Sequence, residues 1–213
     1  SLFLLEYGGG TGTDLVNHFE GKQHDLKIEA TKKENYHLDG VAYINTSLDV
    51  KLSTVNGLQG SPLFIKLAHE MAHAMDPIKN YSIMRDWVPE NKDKGYPAVS
   101  WSEIYASHIE NKIRSEWGIA LRNSYSLNPA NTQLNQLDYS TLLIDKKGNS
   151  LWYNNRERKV SEMTRGEKDP AYKSFLPDNQ FQGLPLRYNY YERNRQNPQT
   201  ISLRIFLLNT FFK

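Results

Sequence analysis

The chain has 213 residues, of which 38% are hydrophobic and 23% charged, a size that buries one good core and is short for two. Its 26 basic and 24 acidic residues leave a formal charge of +2, which is too balanced to indicate nucleic acid or an anionic membrane as the main partner. Cysteine is absent, which excludes disulfides, thiolate catalysis and cysteine-bound metals, so any metal site must use His and carboxylates.

Residues 1–213 are predicted to form a single folded domain that inserts into no membrane. Aromatic residues make up 12% of the chain, which argues against disorder, and no apolar run approaches the roughly 18 residues of a membrane-spanning helix. Because the chain starts at Ser1 instead of Met, we expect that it is trimmed at its amino terminus and that a secretion segment can precede it. We expect the chain to be a monomer.

The amino-terminal part predicts a strand, a turn, a helix and two further strands that form a small sheet. Residues 2–5 are an apolar run typical of a strand, and the glycine-rich residues 8–12 lack the spacing of nucleotide-binding loops, so they predict a flexible turn. A short helix is predicted over residues 14–20. Strands are predicted over residues 25–30 and 40–46, which are rich in apolar and β-branched side chains.

A buried helix is predicted next, over about residues 62–76. Residues 56–57 (Asn-Gly) and 60–62 (Gly-Ser-Pro) mark a loop, after which Ser61 can cap a helix that has Pro62 in its first position. Apolar residues follow at steps of three and four, the spacing of a stripe that faces a core: Leu63, Phe64, Leu67, Ala68, Met71, Ala74 and Met75. Pro77 then ends the helix.

A second helix is predicted after residues 78–100, a stretch rich in Pro, Gly and charge that is typical of a loop. Ser100 or Ser102 can cap this helix, which would run to about Gly118. Its buried side is predicted to carry Ile104, Ile109 and Ile113.

The remaining chain gives weaker patterns. From residue 123 it is polar, with a short strand-like piece over residues 141–144. Residues 201–213 are the most apolar stretch and predict a buried strand or packing tail. Strands followed by helices in separate parts of the chain predict an α+β fold.

His69-Glu70-Met71-Ala72-His73 lies within the first of these two helices and is the pattern that indicates chemistry. A helix places residues i and i+4 on one face about one turn apart, so the two imidazoles can bind one metal ion. Zn²⁺ held by nitrogen and oxygen ligands with one open position lowers the pKa of its water to about 7 and polarises a carbonyl. Glu70 follows the first histidine and would lie within reach of that water as a general base. The pattern predicts a zinc site on His69 and His73 with Glu70 as the catalytic residue.

A third metal ligand is needed, and the sequence offers several candidates. The short extension HExxHxxGxxH is absent because Asp76 and the following proline occupy its place, which excludes the metzincin class. Glu103, near the start of the second helix, is the strongest candidate, and Glu110 on the same helical face is the runner-up. Glu110 can instead pair with Arg114 four residues later. His108 and Asp76 remain as further candidates, although Asp76 fits better as a helix-end residue or as an acceptor behind a ligand.

The position of Glu103 resembles the glutamate zincins, in which a glutamate from a later helix completes the metal site. In the thermolysin-like pattern, an acidic residue four positions after that glutamate accepts a hydrogen bond from a ligand histidine. Here the corresponding residue is Ser107, a departure from that pattern. A serine can still accept the hydrogen bond, but it would raise the basicity of the histidine less than a carboxylate does.

Two Arg-x-x-Tyr segments can supply a donor to the oxyanion that develops in peptide hydrolysis. They are Arg122 to Tyr125 and Arg187 to Tyr190. Such a pair resembles the one that assists catalysis in clostridial neurotoxin light chains, which are also glutamate zincins. Both tyrosines can equally be core or surface aromatics in this tyrosine-rich chain, so the choice between the segments stays open.

Residues 63–125 resemble the NleD-like zinc metallopeptidases, a family among the type III secreted effectors of bacteria. The resemblance rests on the motif His-Glu-Met-Ala-His-Ala-Met, which starts at His69, and on a set of later residues: Glu103, Ala106, Glu110, Asn111, Arg114, Glu116, Gly118, Arg122 and Tyr125. It implies a zinc endopeptidase with a zincin-like domain, in which a small amino-terminal sheet precedes the active-site helix and a second, ligand-bearing helix.

The same resemblance implies a protein that is secreted and delivered into the cytosol of a host cell. Its partner would be a host protein or peptide substrate, and host signalling kinases are the precedent in this family. Related domains also form the toxic ends of large polymorphic toxins. Two alternatives remain: an interaction module in which zinc is structural or absent, and a zinc hydrolase that acts on a non-peptide amide.

Overall fold

The computed structural model describes residues 1–20, 25–76, 84, 86–94, 97–127, 138–151 and 188–194. Within these residues the fold is mixed α+β, with small sheets and several helices. The helices are α1 (Leu2–Tyr7), α2 (Thr11–Glu20), α3 (Leu63–Met75), α4 (Ser102–Glu116) and α5 (Tyr190–Asn194). The strands are β1 (Lys27–Ala30), β2 (Tyr36–Leu38), β3 (Val41–Ile44), β4 (Lys51–Thr54), β5 (Gly57–Gly60), β6 (Asp86–Val88) and β7 (Val99–Ser100). Short 3₁₀ turns lie at Lys92–Lys94 and Tyr139–Thr141.

The amino terminus is a pair of helices, so the strand predicted over residues 2–5 is wrong. α1 and α2 together bury Leu4, Leu5, Leu15 and Val16 in the main core. A short apolar run has the same composition in a buried strand and in a buried helix, and packing against α2 decides between them here. The helix predicted over residues 14–20 is confirmed as α2, which begins earlier, at Thr11.

The glycine-rich residues 8–12, predicted as a turn, form one over residues 8–10 between α1 and α2, while residues 11–12 already belong to α2. The Glu116 carboxylate accepts a hydrogen bond from the Thr11 backbone N–H at 3.0 Å and another from the Thr11 hydroxyl at 2.6 Å. Gly10 has a φ of +61°, and a Cβ at this position would lie 2.6 Å from a Glu116 oxygen. An internal carboxylate therefore occupies the helix N-terminus, where the backbone N–H groups favour negative charge.

Two small sheets precede α3. β3 lies between β1 and β2, parallel to β1 and antiparallel to β2, which confirms the strands predicted over residues 25–30 and 40–46. β4 and β5 form an antiparallel hairpin with Thr54 opposite Gly57, where the sequence predicts a loop. Gly57 has a φ of +90°, a conformation that favours glycine, at the residue that follows the hairpin turn.

The helix predicted from about residue 62 is confirmed as α3, with a different cap from the one expected. Pro62 occupies the N-cap position and has extended backbone angles. Ser61 lies before this position and does not cap the helix, and its hydroxyl accepts a hydrogen bond from Arg114 Nη2 at 2.9 Å. Pro77, expected to end the helix, lies outside the described residues, and the last helical residue is Met75.

α3 and α4 pack against each other and contribute most of the main core. α4 confirms the second predicted helix, with Trp101 in the N-cap position and without a serine cap. Its three isoleucines, Ile104, Ile109 and Ile113, are all buried. The buried part of the α3 stripe consists of Phe64, Leu67, Ala68 and Met71, while Leu63 and Met75 are partly buried beside it.

The stretch between the two helices is not loop throughout. β6 and β7 lie within residues 78–100 and pair antiparallel. A second core cluster starts there with Trp87 and Val99 and extends to Leu143, Tyr188 and Tyr190. The predicted tail over residues 201–213 lies outside the described residues.

The segment that follows α4 extends the β4–β5 hairpin. The Val55 N–H donates to the Leu121 carbonyl at 2.9 Å, and the Asn123 N–H donates to the Ser53 carbonyl at 3.1 Å. On its other side this segment pairs with Leu142, inside the strand-like piece predicted over residues 141–144. Residues 121–124 are thereby hydrogen-bonded on both sides, and they include most of the Arg122 to Tyr125 segment.

No α-helix in the described parts of the chain combines the length and apolar character that crossing a membrane requires.

Candidate metal centre

His69 and His73 lie one turn apart on the buried face of α3. Their side chains belong to the helix that the apolar stripe anchors in the core, and the residues are only 8% and 7% exposed. The centroids of the two rings are 5.0 Å apart. The i, i+4 spacing thus brings two imidazoles together at one edge of the core, as the motif predicts.

Glu103 completes a group of three side chains that could hold a metal ion. It lies in the first turn of α4, and its Oε2 atom is 3.0 Å from His69 Nε2 and 3.3 Å from His73 Nε2. One ligand atom from each of these residues lies within 4.8 Å of the other two. Metal–ligand bonds of 2.0–2.1 Å in a tetrahedral site place ligand atoms about 3.4 Å apart, so the observed separations fit one ion with little movement. These three residues can therefore hold a metal ion.

Glu70 lies beside this group and is not part of it. The residue is 6% exposed. Burial raises the pKa of its carboxyl group, the positive charges of His69 and His73 oppose this rise, and the negative charges of Glu103 and Glu110 add to it. The structure therefore places a second, separate carboxylate next to the metal-binding triangle.

Glu110 is neither a ligand of this group nor a simple surface ion pair. Its Oε2 atom accepts a hydrogen bond from His69 Nδ1 at 2.9 Å, while the Nε2 atom of the same ring faces Glu103. A carboxylate on the outer nitrogen fixes the tautomer and orientation of a ligand histidine. The expectation that Ser107 takes this role is wrong, because its buried hydroxyl has no hydrogen-bond partner among the described residues.

Two buried arginines hold Glu110 in place. Arg114 Nε donates to Glu110 Oε1 at 2.7 Å, and Arg122 Nη1 donates to Glu110 Oε2 at 3.0 Å. Burial alone would raise the pKa of Glu110, but the two guanidinium charges outweigh it and hold this pKa well below its usual range. The i, i+4 pair of Glu110 and Arg114 is thus present, as a wholly buried contact rather than a solvated one.

The carboxylates on both sides of His69 create a negative potential at its ring. Burial lowers the pKa of this histidine, yet hydrogen bonds and charges from Glu103 and Glu110 raise it to about 10. The same potential favours any cation bound between the ring and Glu103. A cation-binding function is therefore consistent with the electrostatics as well as with the distances.

Of the two Arg-x-x-Tyr segments, the first contributes to this site. Tyr125 lies close enough to Glu103 to be affected by its charge, and the Tyr125 ring lies over His69 at a centroid distance of 6.5 Å. Burial and the Glu103 charge raise the pKa of Tyr125 well above 10, so the group remains a hydrogen-bond donor. The Arg122 guanidinium carbon is 4.5 Å from the centroid of the Tyr125 ring.

The other candidates lie elsewhere. Tyr190 is buried in the second core cluster, where its hydroxyl and His108 Nδ1 are 2.6 Å apart, so neither residue serves the metal group. Arg187 lies outside the described residues. Asp76 directly follows α3 in the C-cap position and is buried, so it is a helix-end residue as predicted. Burial and, to a smaller extent, the Asp76 charge raise the pKa of Tyr105.

The sequence missed the role of Glu110 and the contact between Arg114 and Ser61. A signal was present for the first, because Glu103, Glu110 and Arg114 are spaced to share one face of α4. The second joins residues far apart in sequence, and only the packing of α4 against the start of α3 brings them together.

Comparison with known proteins finds no match for this chain among models of protein families, curated proteins or solved structures. The resemblance over residues 63–125 is therefore carried by those residues alone.

Proposed function

We propose that this protein is a zinc-dependent endopeptidase with a zincin-like arrangement of its two central helices. The observation that carries the proposal is the triangle of His69, His73 and Glu103 with the separate carboxylate of Glu70 buried beside it. A structural metal site needs only ligands. A hydrolytic site also needs a base that is not a ligand, and this site provides one.

Zinc is the metal that the donor set favours. Two imidazole nitrogens and one carboxylate oxygen are the ligands of the best-known catalytic zinc sites, and the chain has no thiolate that could close the fourth position. When bound, Zn²⁺ lowers the pKa of a coordinated water to about 7 and polarises a carbonyl group.

The surrounding residues supply the proton transfers and the hydrogen bonds. Glu70 accepts a proton from the attacking water and later delivers it to the nitrogen of the leaving amine, so that one water and one peptide bond give a carboxylate and an amine. Tyr125, which lies beside His69 and near Glu103, is a neutral donor that can turn its hydroxyl to the developing oxyanion. His69 is held by Glu110 throughout these steps.

The biological setting rests on the sequence resemblance. We propose a secreted bacterial effector or toxin that acts in the cytosol of a host cell on a host protein, with signalling kinases as the first substrates to examine. A chain without cysteine is compatible with a reducing cytosol. No nucleic-acid partner is proposed, because the charge is nearly balanced.

The test combines metal analysis with a search for cleaved proteins. Purified wild type is expected to carry equimolar zinc, and incubation with host-cell lysate is expected to create new protein amino termini that mass spectrometry identifies. Glu70→Gln should keep the zinc and create none of them. A wild type that takes up no zinc, or a Glu70→Gln variant with undiminished cleavage, contradicts the proposal. An intact cellular effect of Glu70→Gln would instead favour the interaction module.

A further inference from the structure

Arg122 is buried, and its guanidinium group is engaged on several sides. Nη1 donates to Glu110 Oε2 at 3.0 Å, Nη2 donates to the Tyr125 carbonyl at 2.7 Å, and Nε donates to the Ser124 carbonyl at 3.3 Å. The Tyr125 ring covers one face of the group, and the residue is 7% exposed. A residue that stabilises charge on a substrate must point donors at that charge, whereas each nitrogen of Arg122 already points into the protein.

The partners of Arg122 lie next to two of the three proposed metal ligands. Glu110 accepts a hydrogen bond from the outer nitrogen of His69, and Tyr125 lies over the His69 ring and near Glu103. Arg122 contacts Glu110 through its side chain and Tyr125 through both its carbonyl and its ring. A single side chain thus contacts both residues that lie next to the proposed ligands.

We infer that Arg122 is a positioning residue, which orients His69 through Glu110, keeps Tyr125 in place beside His69 and Glu103, and makes no contact with the substrate. This assignment rests on the proposed function for the identity of the site. It differs from the role that the Arg-x-x-Tyr resemblance suggests, in which the arginine assists the reaction itself. The two roles differ in what the arginine does before any substrate is present.

Arg114 provides a matched comparison, because it shares one of these two connections. Its Nε atom donates to Glu110 Oε1 at 2.7 Å, but Nη1 and Nη2 donate to the Ala120 carbonyl and the Ser61 hydroxyl. It therefore supports Glu110 without reaching Tyr125 in the structure. Loss of Arg122 should disturb both ligands, and loss of Arg114 should disturb His69 alone.

The test measures metal binding by the full chain without substrate. Zinc affinity is obtained by competition with a fluorescent chelator, and the visible absorption of the Co²⁺-loaded protein reports the geometry of its ligands. Changes of residues behind metal ligands typically weaken binding by about 10- to 100-fold. We expect Arg122→Gln to fall in this range and to alter the Co²⁺ spectrum, with a smaller loss for Tyr125→Phe, which removes only the hydroxyl near Glu103.

Arg122→Lys guards against a folding defect, since a lysine can reach Glu110 but cannot make all three hydrogen bonds. Circular dichroism verifies the fold of each variant, and Arg122→Lys should lie between wild type and Arg122→Gln in zinc affinity. Folded variants at position 122 that keep wild-type zinc affinity and the wild-type Co²⁺ spectrum overturn the inference and leave the proposed function standing. A wild type that binds neither ion contradicts the proposed function and this inference with it.

Discussion

His69 and His108 are both inward-facing histidines of the helical pair, and they occupy opposite electrostatic environments. His69 has Glu110 on Nδ1 at 2.9 Å and Glu103 on Nε2 at 3.0 Å. His108 has the Tyr190 hydroxyl on Nδ1 at 2.6 Å and the edge of Tyr188 at a centroid distance of 5.0 Å. The pKa of His69 is raised to about 10, while burial and the charge of Lys112 lower the pKa of His108 to about 3.

The comparison shows that the partners, and not burial, decide what a histidine can do here. Burial lowers the pKa in both cases, but only His69 has carboxylates that compensate for it. The carboxylates around His69 attract a cation, whereas the tyrosines around His108 keep its ring neutral as part of the core. His108 was a candidate ligand by residue type alone, and its neighbours make it a structural residue.

The largest expected effect is the loss of bound zinc when His69 is replaced. His69→Ala should abolish stoichiometric zinc binding, because a pair of side chains on different helices remains where the structure provides three. His108→Gln, which changes the histidine between the two tyrosines, should retain stoichiometric zinc binding. Metal content after gel filtration measures both, and zinc loss in both variants would contradict the contrast drawn between the two histidines.

The second largest effect is expected when the Glu110 carboxylate behind His69 is removed. Glu110→Ala would leave Arg114 and Arg122 buried without their common carboxylate, a change that typically costs about 3–5 kcal/mol of unfolding free energy. Glu110→Gln keeps the volume and one acceptor oxygen, so its loss should be smaller. Urea unfolding without added metal measures the two. A Glu110→Ala variant within about 1 kcal/mol of wild type would show that the buried charges are not coupled as the distances indicate.

The decrease in unfolding free energy at acidic pH should depend in part on His108. Its pKa is lowered on folding from 6.5 to about 3, so the unfolded chain binds the extra proton between these values and stability falls as the pH decreases below 6.5. The protonation of His108 changes the unfolding free energy by at most about 1.4 kcal/mol per pH unit, and by less because its side chain is partly exposed. His108→Gln should therefore lose less stability than wild type between pH 6.5 and 5 in urea titrations. Parallel pH curves for the two proteins would contradict this.

Local sequence patterns predicted the elements that hold the metal group. The apolar stripe and the i, i+4 histidines both depend on residues within one helix, and α3 confirms the helix that they predict. The four-residue run at the amino terminus was too short for a periodic pattern, and α1 is helical because of its partner α2. The β4–β5 hairpin was missed although Asn56-Gly57 is a turn signal, since its strands are short and polar.

The choice between Glu103 and Glu110 shows where sequence reasoning ended. Both residues lie on one face of α4, so the helical period could not assign one as a ligand and the other as a support. The assignment depends on how far α4 sits along α3, which small buried residues of both helices, Ala68, Ala72 and Ala106, help to set. Glu103 and Glu110 are about two helical turns apart, so a shift of about 10.5 Å along α4 would bring Glu110 to the position of Glu103. Such a distance is decided by tertiary packing and leaves no local pattern.

The smallest effects separate the two tyrosines that sit beside the two histidines. Tyr190→Phe removes the hydroxyl that pairs with His108, which should cost about 1 kcal/mol of unfolding free energy and leave zinc affinity unchanged. Tyr125→Phe removes the hydroxyl near Glu103, and its main effect should be on zinc affinity. Measuring both quantities on both variants gives a crossed design in which each protein is the control for the other. Equal loss of zinc affinity in the two would mean that the aromatic cluster and the metal group are coupled. The contrast between His69 and His108 would then describe one connected site instead of two environments.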